Sequence, residues 1–280
     1  MNIENAINEA SRILKKNNIK SSKLDCEILM SKVIEKDRKF IILNPLMKLK
    51  KNSFNHFKNL IDQRSMGKPI AYLTGKKDFW KHEFQITEDT LIPRPDTELI
   101  IEQVIKITKN KSKLKILDVG VGSGCILLSV LKEKKDFYGV GIDVSKKCID
   151  ISKINALRLE VTNRVKFFKS DVDNFLYGKY DLIISNPPYI KKLDLKYLDR
   201  DVINFEPKLA LDGGLEGISE ISKVIHKSSE LIKKNGKLVL EIAFDQKEKV
   251  KKLLNDKGFY INNILKDYAK NDRCIISTKL

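Results

Sequence analysis

Residues 181–192 read Asp-Leu-Ile-Ile-Ser-Asn-Pro-Pro-Tyr-Ile-Lys-Lys. An apolar run that reads as a buried strand stops at two prolines, which cannot extend a parallel ladder because they lack the N–H. A strand-ending turn would explain Pro187 and Pro188 by themselves. The flanking Asn186 and Tyr189 add chemistry that a turn does not need. A planar nitrogen, an amide or the exocyclic amine of a base, is a poor nucleophile because its lone pair is delocalised. Two acceptors can hold such a group by its two N–H bonds. Asn186 offers a side-chain oxygen. Pro187 offers a backbone carbonyl, and its missing N–H leaves no competing donor nearby. Tyr189 can lay its ring on the flat group and fix its angle. The pattern predicts a clamp for an NH2 group that works by holding reactants close and aligned, with no metal and no activated nucleophile.

A second cluster predicts what would meet that nitrogen. Gly120, Gly122 and Gly124 lie within Leu-Asp-Val-Gly-Val-Gly-Ser-Gly-Cys-Ile, at a turn from strand to helix. Glycine there permits positive φ and close approach of a ligand to the backbone. In an open α/β sheet such a turn sits at the carboxyl ends of the strands, where ligands bind. Cys125 stands where the dinucleotide fingerprint requires glycine, which disfavours a nicotinamide dehydrogenase. Asp143 ends the next strand, where an acid can accept both hydroxyls of a ribose. Asp171, followed by Val172, ends the third, near where an adenine would lie. Either acid alone is more simply a turn or cap residue. Glycine loop, ribose acid and third-strand acid in this order predict an adenosine-bearing cofactor, best fitted by S-adenosylmethionine, with S-adenosylhomocysteine as product.

The elements needed to position these groups are legible behind them. Ile3, Ala6, Ile7, Ala10, Ile13 and Leu14 recur at helical steps. A second helix is expected from Ser22 to about Glu35 with Leu24, Ile28, Leu29 and Val33 inward, and a third near Phe54 to Arg64, stopped by Met66-Gly67-Lys68-Pro69. These make residues 1–75 a domain that reads as a small helical bundle. Residues 76–92 read as a linking β-hairpin, and Asp96 as the cap of a helix beginning near Thr97. From there strands and helices alternate to residue 280, including helices at 125–134, 147–159, 220–234 and 246–257. The last two strands, near 260–266 and 273–278, are joined by a short link. Alternation implies right-handed crossovers and a mainly parallel sheet. The expected class is α/β: a seven-stranded, Rossmann-like sheet in a domain of residues 93–280, with an antiparallel last strand. In this topology the fourth strand ends beside the first, so Asn186 faces the glycine loop.

Composition limits the remaining options. The 280 residues carry a net charge of +17 from 54 basic and 37 acidic residues. The basic residues are 46 Lys and 8 Arg, scattered along the chain. Arg is the usual bidentate phosphate ligand, so the charge reads as a bias toward Lys and not as a nucleic-acid surface. No apolar run is long enough to span a membrane, and the N-terminus lacks a secretory h-region. Four dispersed cysteines and three isolated histidines predict reduced thiols in a cytoplasmic protein without a metal site.

At this point the chain resembles the release-factor glutamine methyltransferases, the HemK/PrmC family, over essentially its whole length. The matching segments are 71–75 (AYLTG), 91–98 (LIPRPDTE), 117–126 (LDVGVGSGCI), 185–190 (SNPPYI), 205–218 (FEPKLALDGGLEGI) and 267–275 (DYAKNDRCI). The resemblance implies that Gly120, Val121, Gly122, Ser123, Gly124 and Asp143 hold S-adenosylmethionine, with Asp171, Val172 and Asn186 beside it. It implies that Asn186, Pro187, Pro188, Tyr189 and Ile190 hold the substrate, with Asn186, Pro187 and Tyr189 as the catalytic residues. That substrate would be the Gln of the Gly-Gly-Gln motif in class 1 peptide-chain release factors, methylated on its side-chain nitrogen by a monomer that needs no nucleic acid. Asp96, Val172 and Ala243 depart from the family pattern, where Glu, an aromatic and Gly are expected.

The same clamp would serve a DNA adenine or RNA guanine methyltransferase acting on a flipped base, or the sister enzyme for a ribosomal-protein glutamine. Arg-Pro-Asp-Thr-Glu and the N-terminal helices favour the release-factor reading. On that reading residues 1–75 are the substrate-recognition domain, and they and the segment 205–217 are pictured as gripping the release factor; Gly213, Gly214 and Gly217 could lend that segment freedom to move, or it is an ordinary surface loop.

Overall fold

A computed structural model describes residues 1–280, which divide into two compact units: residues 1–76 with 199–205, and residues 77–198 with 206–280. The first is helical. α1 (Ile3–Lys16) is capped by the Asn2 side chain, which accepts from Asn5 N–H. It is followed by α2 (Ser22–Ile34), α3 (Arg38–Leu43), α4 (Lys51–Ser65) and α5 (Ile70–Thr74). Their apolar faces close on a core that includes Leu14, Leu29, Met30, Phe57 and Ile61.

Two residues expected inside face outward: Ile13 and Leu24 are 38% and 42% exposed. On α1 the buried stripe runs through Ile3, Ile7, Ala10 and Leu14, leaving Ile13 on its flank. On α2 the inward face carries Asp25 and Glu27, which bond Arg64 and Arg38 at 2.7 Å each. Paired acids can be buried where lone ones cannot, so apolar spacing alone misplaced that face. α3 and α5 carry no signal of their own in the sequence. Both are too short to show a helical period, but the stop at Met66-Gly67 is where α4 ends.

In the second unit, β1 (Lys76–Phe79) and β2 (His82–Gln85) form a two-stranded sheet. Phe79 and Phe84 are buried in the same core as α6 (Glu98–Ile107). Asp96 does not act as the expected cap. Pro95–Thr97 form a single 3-10 turn, and α6 starts without a side-chain capping bond. The alternating part comes next: β3 (Lys115–Val119), α7 (Cys125–Glu133), β4 (Tyr138–Asp143), α8 (Lys146–Arg158), β5 (Val165–Lys169) and β6 (Tyr180–Ser185). After α9 (Arg200–Phe205), which groups with the N-terminal unit, come α10 (Ser219–Leu231), β7 (Ile232–Glu241), α11 (Lys247–Asp256), β8 (Phe259–Lys266) and β9 (Asp272–Lys279).

The seven strands lie in the order β5-β4-β3-β6-β7-β9-β8. β5 to β7 pair in parallel, while β9 is antiparallel to both its neighbours. The sheet is the expected seven-stranded, Rossmann-like one, with two apolar cores on its faces. The helix expected to reach Lys234 stops at Leu231, and β7 begins at once with Ile232 opposite Tyr180. Lys233, Lys234 and Asn235 supply no apolar side chain to hold another helical turn against the sheet. Asn235 takes a positive φ of 62° within a bulge, a conformation Asn tolerates better than most residues.

Candidate active site

Strand order reverses at β3, which has β4 on one side and β6 on the other. That is the switch point at which open α/β sheets leave a crevice. The last rung of the β3–β6 ladder pairs Val119 with Ser185. The next residues along, Gly120 and Asn186, therefore leave the sheet side by side.

Gly120, Gly122 and Gly124 all have positive φ, at 76°, 55° and 83°. A Cβ on Gly120 or Gly122 would meet nothing within 4 Å, so these two expose backbone to open space. The loop is held from behind. Gly120 N–H and Val121 N–H both donate to the Ile142 carbonyl, at 3.0 and 2.9 Å. Asp143 at the tip of β4 accepts from Gly122 N–H at 3.0 Å and Ser145 N–H at 2.9 Å. Burial raises its pKa, while those two N–H groups favour its charge. Asn155, on α8, donates to the Ser123 carbonyl at 2.8 Å and exchanges two bonds with Gln85 of β2.

Beneath the loop lies Asp118, 1% exposed, whose two carboxylate oxygens have no hydrogen-bond partner. Burial pushes its pKa up to about 8; the Leu127 amide in the first turn of α7 offsets part of this and the charge of Asp143 adds to it. The Ser123 hydroxyl is likewise buried and unpartnered. Sequence pattern passes over Asp118 as one more strand residue. Its only signal there is a lone acid in an otherwise apolar strand core.

The two third-strand residues differ from each other. Asp171 is exposed, and its Oδ1 accepts from Asp173 N–H at 2.9 Å, closing a local turn. Val172 is buried and packs with Val119, Val140 and Ile142 in the core.

At the tip of β6, Asn186 Nδ2 donates to Thr97 Oγ1 at 3.2 Å. Its Oδ1 and the Pro187 carbonyl accept no hydrogen bond from the chain. Both acceptors proposed for the clamp are thus uncommitted. Tyr189 is half-buried, and its hydroxyl donates to Glu241 Oε1 at 3.1 Å. Ile190 N–H donates to the Leu211 carbonyl at 3.1 Å, and the Ile190 carbonyl accepts from Gly213 N–H at 2.9 Å. A Cβ on Gly213 would lie 2.8 Å from Tyr189 Cα, and one on Gly217 would lie 2.4 Å from Tyr189 O. These glycines admit the backbone of Tyr189 at close range, a packing requirement that stands whether or not the segment moves. Gln246 completes this side: its Nε2 donates to the Tyr189 and Gly217 carbonyls at 2.9 and 2.8 Å, and its Oε1 accepts from Ala243 N–H at 3.0 Å. The sequence marked Gln246 only as the start of a helix.

Glu206, buried, accepts from Ile92 N–H at 3.3 Å and is paired with Arg94. Thus the segment around Pro93 and the segment around Pro207 are tied together across a long stretch of chain.

Comparison with known proteins decides the family. Residues 5–75 match the PrmC N-terminal domain and residues 95–264 match the methyltransferase small domain. The chain is 36% identical to the release factor glutamine methyltransferase of Buchnera aphidicola subsp. Acyrthosiphon pisum, over 100% of this chain and 99% of the relative. It is 36% identical to that of Clostridium botulinum, over 100% of each. The chain belongs to the release factor glutamine methyltransferase family.

A solved methyltransferase from Pyrococcus furiosus shares the fold, with a TM-score of 0.53 at 16% identity over 70% of this chain and 88% of that one. As a methyltransferase of this family, the chain gathers at one sheet end the glycine loop, Asp143 and the Asn186–Tyr189 segment. No helix is long and apolar enough to cross a membrane.

Proposed function

We propose that the protein transfers a methyl group from S-adenosylmethionine to the side-chain nitrogen of the Gln in the Gly-Gly-Gln motif of class 1 peptide-chain release factors. The observation that carries this reading is the β3–β6 register, which sets two uncommitted acceptors, Asn186 Oδ1 and the Pro187 carbonyl, beside the glycine loop. A primary carboxamide has two N–H donors to match two acceptors, and the family name supplies the carboxamide.

The residues fit the cofactor. Gly120 and Gly122 leave room along the backbone, Asp143 can accept from ribose hydroxyls, and Asp118 presents unpartnered oxygens beneath the loop, suited to a cationic group. Val121, Ser123 and Gly124 complete the loop, with Asp171 and Val172 as further cofactor contacts. When bound, S-adenosylmethionine supplies an electrophilic methyl carbon on a sulfonium. The chain's own part is positional. Asn186 and Pro187 hold the substrate NH2 by both protons, Tyr189 and Pro188 limit its tilt, and Ile190 backs the segment against Leu211 and Gly213. Holding the nitrogen within reach of the methyl replaces an encounter in solution, an effect worth orders of magnitude in rate.

The test is incubation with labelled methyl donor and purified release factor, as wild type and with the motif Gln replaced. Label that vanishes on replacement supports the substrate. Label that persists, or that enters DNA or ribosomal RNA instead, overturns it.

A further inference from the structure

Behind the candidate clamp lies a buried polar group that the reaction itself does not call for. Glu241, at the end of β7, is 2% exposed. Its Oε1 accepts from the Tyr189 hydroxyl at 3.1 Å, and its Oε2 has no hydrogen-bond partner. The Thr97 hydroxyl faces the same carboxylate and favours its charged form. Thr97, itself buried, accepts from Asn186 Nδ2 at 3.2 Å. A buried carboxylate without a full set of partners is costly, and this one bonds Tyr189 on one side of Pro187 and Pro188, while Thr97 bonds Asn186 on the other.

We propose that Thr97 and Glu241 are positioning residues that determine which end of the Asn186 carboxamide faces the substrate; this rests on the reading of Asn186 as acceptor for the substrate nitrogen. An ionised carboxylate can only accept hydrogen bonds, and a hydroxyl has a single proton to give. With Glu241 ionised, Thr97 turns its proton toward Glu241 and has only lone pairs left for Asn186. Asn186 must then present Nδ2 to Thr97, which leaves Oδ1 outward. The reverse orientation would set the N–H donors of Asn186 against the N–H donors of the substrate. Which end of an amide is which depends on its hydrogen-bond network, and here the network propagates from Glu241 through Thr97. The Tyr189 bond to the same carboxylate holds the ring at a fixed angle.

Other groups around Glu241 bear on its charge. Burial raises its pKa to about 7, opposed by the Thr97 hydroxyl, by Arg273 of β9 and by Tyr189, and reinforced by Asp96. Arg273 is itself bonded to Asp267 at 2.9 Å, and the buried thiol of Cys274 lies next along β9. Protonated Glu241 would gain a proton to donate, freeing the Thr97 proton for Asn186. The favoured orientation is therefore the high-pH one.

The test uses Thr97→Val, which keeps shape and removes the hydroxyl, with Thr97→Ser and Glu241→Gln beside it. Thr97→Val should lower kcat about 10- to 100-fold, the cost of an amide N–H facing an apolar group. KM for release factor and calorimetric affinity for S-adenosylmethionine should stay within about 3-fold, and Thr97→Ser should recover most of the rate. In the wild type, kcat should fall as pH drops through about 7; Glu241→Gln should lose that inflection.

A Thr97→Val enzyme with wild-type kcat overturns the proposal, as does a rate loss that Thr97→Ser fails to recover in a folded protein. A wild type that methylates no release factor overturns the underlying reading instead. A measurement without substrate separates the two: hydrogen exchange of the Asn186 carboxamide protons by nuclear magnetic resonance. Exchange slower in wild type than in Thr97→Val supports the contact, and equal exchange in both overturns it.

Discussion

The Ser185 hydroxyl donates to the Val119 carbonyl at 2.7 Å, across the last rung that β6 shares with β3. Both residues are buried, and the bond joins the two strands at the point where they stop being sheet. Parallel strands sit about 4.8 Å apart. The residues next in line, Gly120 and Asn186, must therefore emerge as neighbours. The site depends on this register. A slip of one residue would send the Asn186 side chain to the other face of the sheet.

Asn186→Ala should leave affinity for S-adenosylmethionine near that of wild type and lower turnover about 10²- to 10⁴-fold. It deletes an acceptor that orients the reacting nitrogen, together with the Nδ2 bond to Thr97 behind it. Calorimetry paired with a methyl-transfer assay checks this. Turnover close to wild type would contradict the clamp.

Asp143→Ala should act on the other half of the site. It removes the acceptor for Gly122 N–H and Ser145 N–H as well as the proposed ribose contact. Charge-assisted bonds of this kind contribute about 1.5–3 kcal/mol each, so cofactor affinity should fall at least about 10-fold. The melting temperature should drop too, because the loop loses its anchor. Equal calorimetric affinity in mutant and wild type would exclude Asp143 from the cofactor site.

Gly217→Ala places a Cβ 2.4 Å from the Tyr189 oxygen at a residue with a φ of 72°. Strain and overlap of this kind cost about 1–3 kcal/mol each. Loss of turnover with a lowered melting temperature is expected, since the shift falls on the backbone of Tyr189. Were these glycines hinges with free space around them, alanine would be accommodated with little change in melting.

Asp118 makes the cofactor-free protein sensitive to pH. Its pKa is raised to about 8 by burial, whereas in the unfolded chain it is an ordinary carboxylate near 3.9. Between these values the folded state holds a proton that the unfolded state has released. Its contribution to stability is complete below about pH 4 and is lost as pH rises toward 8. Asp118→Asn cannot ionise, so its melting temperature should decline less between pH 5 and 8 and exceed that of wild type at pH 8. The expected gain is about 2–4 °C for each kcal/mol recovered. Parallel melting curves across that range would show that Asp118 is not the group responsible.

Much of this molecule can be read from local pattern. Alternation of strands with helices implies a parallel sheet, and three glycines after β3 mark its ligand end, because periodicity and backbone freedom are properties of short segments. Two prolines after β6 mark a strand end for the same reason. Where local pattern misled, tertiary partners had taken over. Leu24 faces out because Arg64 and Arg38 let Asp25 and Glu27 face in. Asp96 is not a cap because Pro95 to Thr97 turn before the helix begins.

The sequence alone determined the α/β class, the order of the elements, and the residues Asn186, Pro187, Tyr189 and Asp143 as candidates, since each rests on the type and spacing of nearby residues. Only the tertiary structure decided that Thr97, Glu241 and Gln246 stand behind Asn186 and Tyr189, and that Glu206 ties Ile92 and Arg94. These partners are brought together by strand order and loop packing. A polar side chain shows no sign in its own neighbourhood of the distant group that burial will make it satisfy.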